Sequence, residues 1–447
     1  MKTHHIKRIA AAFLFGITLL PATSCNKEYL NPSEASVPVV ISSPDALMTL
    51  CAGLQRRYTI GRQSPLYCYA VGGGYSVYSL YTINIGNTSE KEVESGKGAI
   101  TLNNSFITQM WGQSLLTRTE AETVLANLNV ATVPGDRAGL QAYASIFYAL
   151  SMGALVQYYV EIPLVNGPNA TFSPRAAALK KVIEVLESAD AELNTNAISA
   201  KFLTKVPAGI DAKNTIKALL ARFYNIQSMI TGTYNAADGA KAIAFAQAAS
   251  KTVKSEFRFS TATTNPIGEL AATVNVFGAI DSTLGLRNGL APVPAASDPR
   301  VGYYISQKDA TTYPLKAFAL NTTASYPVYL PGEMHLIIAE NYARQSQFPN
   351  AIVALNAVRT KKAADDIYGI GADQPPYAGA VTQAAILTEI YKQRRLEMFV
   401  SGQELEDSRR FGRPGPNQPG EERNRNFYPY PLSERDNNPN TPADPLI

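Results

Sequence analysis

The chain has 447 residues, 46% of them hydrophobic and 17% charged, with 40 Lys and Arg against 36 Asp and Glu. That length supports a large core or two fused lobes. A formal charge of +4, spread along the chain, argues against nucleic acid as the main ligand, and three cysteines do not make a disulfide scaffold.

The first predicted element is a signal. Lys2, Lys7 and Arg8 precede a mostly apolar run at 9–20, and Ala22-Thr23-Ser24 then leads into Cys25. The run is short for a bilayer-spanning helix but matches the apolar part of a secretory signal. Cys25 at the first mature position offers a thiol for a lipid thioether and an amine for a further acyl chain. Stable anchoring needs more than one such chain. The expected organisation is a signal peptide at 1–24, a lipidated N-terminus and tether at 25–42, and a single domain at 43–447. Cleavage removes three cations and no acid, leaving 423 residues at a formal +1. No second apolar run is expected to span a membrane.

Ser43 and Pro44 predict a helix start, with Ser43 as cap and Pro44 in the first turn. Leu47, Leu50, Cys51 and Leu54 recur at helical spacing, and the helix is expected to end near Tyr58. Residues 59–105 read as loop-rich, because Gly72-Gly73-Gly74 opposes helix propagation. Cys51 and Cys68 form either one disulfide or two buried thiols. From Phe106 the helical signal returns, with apolar stripes over 116–128, 138–159, 174–193, 212–230 and 237–257. Val133-Pro134-Gly135-Asp136, Gly167-Pro168-Asn169 and Thr231-Gly232-Thr233 separate them, and Ser173 with Pro174 reads as cap and first position of the third.

Residues 258–332 lose the helical period, as a functional loop system or small subdomain would. A strong helix follows from Gly332-Glu333, then 349–359, a polar loop at 365–379, and a helix at 384–399. Helices in series with short turns favour stacked hairpins, although no clean 34-residue consensus is present. The expected fold is all-α dominated: a tetratricopeptide-like helical-hairpin scaffold with loop-rich insertions near 59–105, 258–332 and 400–447 forming a ligand-binding lobe.

No catalytic constellation is visible, and the chain reads as non-enzymatic. His4 and His5 leave with the signal, so His335 alone remains and no multi-histidine metal site is available. Glu90/Glu92 and Asp365/Asp366 are carboxylate pairs of the kind that bind calcium or assist hydrolysis, but such pairs are common on solvated surfaces. No motif indicates calcium or any cofactor. Binding is better supported, since aromatic faces flanked by amides suit the apolar C–H faces and hydroxyl edges of sugars. The candidate ligand-binding residues are Tyr67, Tyr69, Tyr75, Tyr78, Tyr81, Asn84 and Trp111, with Asn87 and Asn104 nearby. The alternative reading places these tyrosines at the scaffold's margin or in a partner interface.

The C-terminal stretch is the most specific feature. Glu389-Ile390-Tyr391-Lys392-Gln393-Arg394-Arg395-Leu396-Glu397-Met398-Phe399 precedes Gly402-Gln403 and Asp407-Ser408-Arg409-Arg410-Phe411-Gly412, and Tyr428-Pro429-Tyr430-Pro431 leads to Asn438-Pro439-Asn440. This order resembles the SusD/RagB family of Bacteroidota outer-membrane nutrient-binding lipoproteins. One departure is Leu405-Glu406, where members commonly carry a tryptophan and a phenylalanine. Arg394, Arg395, Glu397, Asp407, Arg409 and Arg410 are expected to form a partly buried ion network, for which arginine's forked donors suit better than lysine. Pro429, Pro431 and Pro439 stiffen the tail into a strap.

The resemblance implies a lipid-anchored, cell-surface protein of the outer membrane that captures oligosaccharides on loops outside the scaffold. It implies delivery to a SusC-like TonB-dependent outer-membrane transporter, with no nucleic-acid partner. Peptide capture in the same system, or a structural lid with little intrinsic affinity, are the alternatives.

Overall fold

The computed structural model describes residues 41–167 and 169–447. The signal segment, Cys25 and the tether up to residue 40 lie outside the described residues. Helix α1 (Pro44–Thr59) begins as its sequence dictates: Ser43 Oγ accepts the Ala46 amide at 3.2 Å, and Pro44 occupies the first turn.

Helix α2 (Pro65–Ser76) overturns the expected loop, running through Gly72, Gly73 and Gly74. Glycine costs about 1 kcal/mol per helical position relative to alanine, yet these glycines are where other parts of the chain come closest. A Cβ on Gly73 would stand 2.7 Å from Glu404 Oε2 and 3.1 Å from the Gly402 backbone, and one on Gly74 would meet Leu80 at 2.5 Å. Every residue of α2 is buried, so packing outweighs propensity. Gly73→Ala is therefore expected to destabilise by about 1–3 kcal/mol, the range for overpacking, although alanine is the better helix former. A urea midpoint at or above that of the parent protein would contradict this.

Helices α3 (Thr88–Ser95), α4 (Ser105–Ala126) and α5 (Pro134–Tyr158) follow. Asn104 Oδ1 caps α4 by accepting the amides of Phe106 and Ile107 at 2.9 and 3.2 Å. Helix α5 is long and apolar enough to cross a membrane by composition, which the sequence reading did not anticipate. In the fold 94% of its apolar window is buried, so it is the central core helix.

Beyond it come α6 (Arg175–Thr195), α7 (Ala200–Lys205), α8 (Ala212–Gln227) and α9 (Ala236–Ala248). Ser173 does not cap α6: it pairs in a strand, and Pro174 takes the N-cap position. Helix α9 ends at Ala248 rather than near 257, because Lys251 Nζ donates to the carbonyls of Ala246 and Ala249 at 2.8 and 2.9 Å and seals the terminus. The C-terminal half carries α10 (Pro299–Tyr304), α11 (Pro331–Arg344), α12 (Phe348–Arg359), α13 (Gln383–Glu397), α14 (Glu404–Arg410) and α15 (Leu432–Asn437).

The long helices pack in series: α4 on α5, α5 on α6, α6 on α8, α8 on α9, α9 on α11, then α11 on α12 and α13. Three two-stranded antiparallel ribbons decorate this stack. They are β1 (Leu80–Thr82) with β5 (Phe277–Ala279), β2 (Glu161–Pro163) with β3 (Phe172–Pro174), and β4 (Glu256–Phe257) with β6 (Tyr326–Pro327). Residues 41–447 form one compact unit. Cys51 and Cys68 are free and buried, which closes the disulfide alternative.

His335 lies on α11. Burial and the charges of Lys251 and Lys361 hold its pKa down at about 4, against a weaker opposing pull from Asp366. The unfolded chain takes up this proton near pH 6.5 while the folded one resists it until about 4. The stabilisation is complete above pH 6.5 and is lost as pH falls through that window, to a total of about 3 kcal/mol. His335→Gln is expected to flatten stability between pH 6.5 and 4, measured by chemical denaturation at several pH values; an unchanged slope would contradict it.

Candidate binding cleft

The C-terminal end of α2 sets the site's geometry. The Ser79 amide donates to the Gly74 carbonyl at 2.9 Å and the Tyr78 amide to that of Tyr75 at 3.3 Å. This bond pair closes a Schellman cap, which places Tyr78 at the left-handed position that glycine usually fills. Tyr78 has φ of +57°, a strained backbone for a bulky residue that points to a functional demand.

Immediately after, β1 pairs with β5, bringing segment 277–288 beside α3. Between them and segment 421–422 opens a cleft of about 570 Å³, whose walls include Tyr78, Leu80, Lys91, Glu94, Ile280 and Arg287. That is the size of a small-ligand site. A second recess of about 290 Å³, lined by Arg62, Asn87 and Gln109 among others, shares α3. The cavity of about 30 Å³ beside Tyr69, Arg222 and Glu333 has room for only about two waters.

The cleft's carboxylates are already engaged. Glu94 Oε2 accepts the Thr82 amide at 2.7 Å and Oε1 accepts Lys91 Nζ at 2.7 Å. Glu421 accepts the Tyr78 hydroxyl and Lys97 Nζ, the latter at 2.9 Å. Burial pushes the Glu421 pKa up, but these donors and the Asn417 amide outweigh it and leave the group below its usual range. Tyr78 moves the opposite way, its phenol raised by burial and then by donating to Glu421. Glu422 accepts Asn288 Nδ2 at 2.8 Å and Arg413 Nε at 2.8 Å.

The expected ligand residues divide sharply. Tyr67, Tyr69, Tyr75 and Trp111 are buried, which corrects their assignment to an exposed aromatic surface. The Tyr67 hydroxyl donates to Glu90 and that of Tyr69 to Gln157, each at 3.1 Å. Trp111 Nε1 donates to Glu434 at 2.9 Å, and its ring packs against Tyr159, Phe172 and Tyr430. The three tyrosines are core because α2 is a buried helix rather than a loop, and Trp111 is core because it lies on the buried face of α4. Tyr78 and Tyr81 are half-buried, and Asn84 is exposed in a turn where its Oδ1 accepts the Gly86 amide at 2.9 Å. Of these three, Tyr78 lines the cleft.

Lys91, Glu94, Ser95, Ile280, Arg287 and Asn288 complete much of the wall and were missed by sequence reasoning. They lie in separated segments with no common period; only the loss of helical pattern over 258–332 pointed to part of the set.

The expected ion network divides as well. Arg394 pairs with Asp407, Nε to Oδ2 at 2.7 Å, and Arg410 pairs with both Asp407 and Glu340 at 2.7 and 2.9 Å. Glu397 instead faces Arg300 at 3.1 Å and Lys361 at 2.5 Å, while Arg409 meets Glu406. Arg395 makes no ion pair among the described residues; it donates to the carbonyls of Leu284 and Val77 at 3.1 and 3.4 Å. It thereby ties the backbone before Tyr78 to the 284–285 loop on the cleft wall.

The carboxylate pairs do not form hydrolytic dyads. Glu90 pairs with Arg62, Glu92 accepts from Thr101 and Asn104, and Asp366 pairs with Lys361. Among the described residues no three His, Cys, Asp or Glu side chains converge as metal ligands.

The fold is thus a stack of paired helices that carries a loop-built surface cleft. The chain belongs to the SusD family, whose model matches residues 214–444, just over half of the sequence. Solved structures agree over nearly the whole chain. A SusD-like carbohydrate binding protein from Bacteroides vulgatus superposes with a TM-score of 0.69 at 14% identity, covering 89% of this chain and 97% of that one. Bacteroides fragilis NanU gives 0.67 at 13%, covering 93% and 99%. A second SusD-like carbohydrate binding protein, from Bacteroides fragilis, gives 0.66 at 17%, covering 90% and 99%. At such identities the agreement is one of fold. No curated protein sequence matches significantly.

Proposed function

We propose that this protein is a non-catalytic receptor lipoprotein, held at the outer membrane through Cys25, which captures oligosaccharides and passes them to a SusC-like TonB-dependent transporter. The observation that carries this reading is the 570 Å³ cleft built around Tyr78, whose strained backbone fixes an aromatic ring among polar groups. An aromatic face flanked by hydrogen-bonding side chains suits a pyranose. Family membership supports the same reading, and two of the solved relatives carry the description carbohydrate binding. A lipid tether raises the effective concentration of captured ligand beside a pore.

Isothermal titration of the purified protein against a panel of neutral and charged oligosaccharides tests this. Saturable binding that competes within the panel is the expected result. Binding confined to peptides would replace glycan capture with peptide capture. Binding confined to the transporter would leave a structural lid.

A further inference from the structure

The cleft's hydrogen-bonding capacity is lopsided. Its carboxylates Glu94, Glu421 and Glu422 are each held by at least two donors from the protein itself. Its cations are not spent in the same way. Arg287, exposed on the wall, makes one loose ion pair, Nε to Asp281 Oδ2 at 3.3 Å, and donates no hydrogen bond among the described residues. The arginines of the C-terminal network behave differently: Arg394, Arg410 and Arg413 each donate two or more. Lys91, also on the wall and partly exposed, donates among the described residues only to Glu94, which uses one of its three ammonium protons. The charged groups that the protein itself engages least in this cleft are therefore its cations, Arg287 and Lys91.

Resting on the glycan-binding reading, we infer that the cleft selects an anionic glycan, whose carboxylate or sulfate oxygens are taken by the terminal N–H groups of Arg287, with Lys91 as a second cationic donor. A guanidinium presents parallel N–H groups that match a planar oxyanion, and charge-assisted bonds of this kind are about twice as strong as neutral ones. Asp281 is paired with Arg287 at Nε, 3.3 Å away, and no hydrogen bond among the described residues occupies the terminal N–H groups, which are left to face the ligand. A neutral sugar can offer this fork only uncharged hydroxyl and ring oxygens, which form the weaker bonds.

Titration of matched pairs tests the inference. Oligogalacturonides are compared with their methyl esters, and sulfated galactan oligosaccharides with their desulfated forms. In one pair the anionic member is expected to bind at least tenfold tighter, and which pair does so identifies carboxylate or sulfate as the group read. Arg287→Gln should narrow that difference to less than about threefold, through a loss of the anionic member's affinity, and added salt should weaken the anionic member far more than the neutral one. Equal affinity for both members of both pairs would overturn the inference while leaving the cleft as a glycan site. Failure of both pairs when neutral glycans of other composition do bind would overturn it as well. Absence of binding by any glycan would instead remove the glycan-binding reading on which it rests.

Discussion

Asp407→Asn is expected to lower the unfolding free energy by about 3–5 kcal/mol, the range for removing one partner of a buried pair. Among the described residues Asp407 is the only carboxylate bonded to Arg394 and one of two bonded to Arg410, and all three side chains are 3% exposed or less. Without its charge, Arg410 retains Glu340, whereas Arg394 keeps no carboxylate partner among the described residues, only a neutral amide oxygen at 407 and a long bond to Gln403 at 3.4 Å. Arg394 Nη1 already has no partner among the described residues, so the guanidinium would sit desolvated with its charge unpaired. Glu340, held below the ordinary carboxylate range by Arg410 and Arg344 despite burial, anchors the same cluster to α11. Its contribution is present above the unfolded carboxylate pKa and is lost as pH falls toward its depressed folded value. The exposed pair Lys181–Glu184 at 3.8 Å serves as the contrast, since removing such a pair changes stability by at most about 1 kcal/mol. Chemical denaturation of both variants separates the cases. A loss below about 1 kcal/mol for Asp407→Asn would mean that the network does not hold the tail to the scaffold.

Local chemistry explains which parts of the molecule could be read in advance. Helix α1 was legible because its cap, its proline and its apolar stripe agree, and the scaffold followed from five long stripes of the same kind. Helix α2 was not, because glycines that oppose a helix locally are demanded by contacts with Glu404, Gly402 and Leu80, all distant in sequence or across a turn. That single misreading displaced Tyr67, Tyr69 and Tyr75 from core to surface. The arginine pair Arg394-Arg395 was legible as a structural unit but not in its division of labour: one side chain binds a carboxylate, and its neighbour holds two backbone carbonyls under the cleft. The cleft itself was the least legible part. Lys91, Arg287 and Glu421 acquire meaning only after the β1–β5 ribbon brings their segments together.

Tyr78→Gly separates the role of the ring from that of the fold. A tyrosine at φ of +57° costs roughly 1–2 kcal/mol relative to an unstrained conformation, and glycine removes that cost because it adopts the left-handed region freely. The cap's two backbone bonds, from Ser79 to Gly74 and from Tyr78 to Tyr75, do not need the side chain. Against this gain stand the lost hydrogen bond to Glu421 and the lost packing of a half-buried ring. The two sides are comparable, so thermal stability is expected to change little, within about 1 kcal/mol. Ligand affinity is expected to fall at least tenfold, about 1.4 kcal/mol or more, because the aromatic face is gone. Tyr78→Phe should keep most of the affinity, since it preserves the ring and loses only the hydroxyl already committed to Glu421. Denaturation and titration of both variants decide the matter. If Tyr78→Gly binds as the parent does, the strained residue is not the platform of the cleft. If it binds weakly only because it has unfolded, the left-handed cap depends on the ring, and the strain is structural in origin.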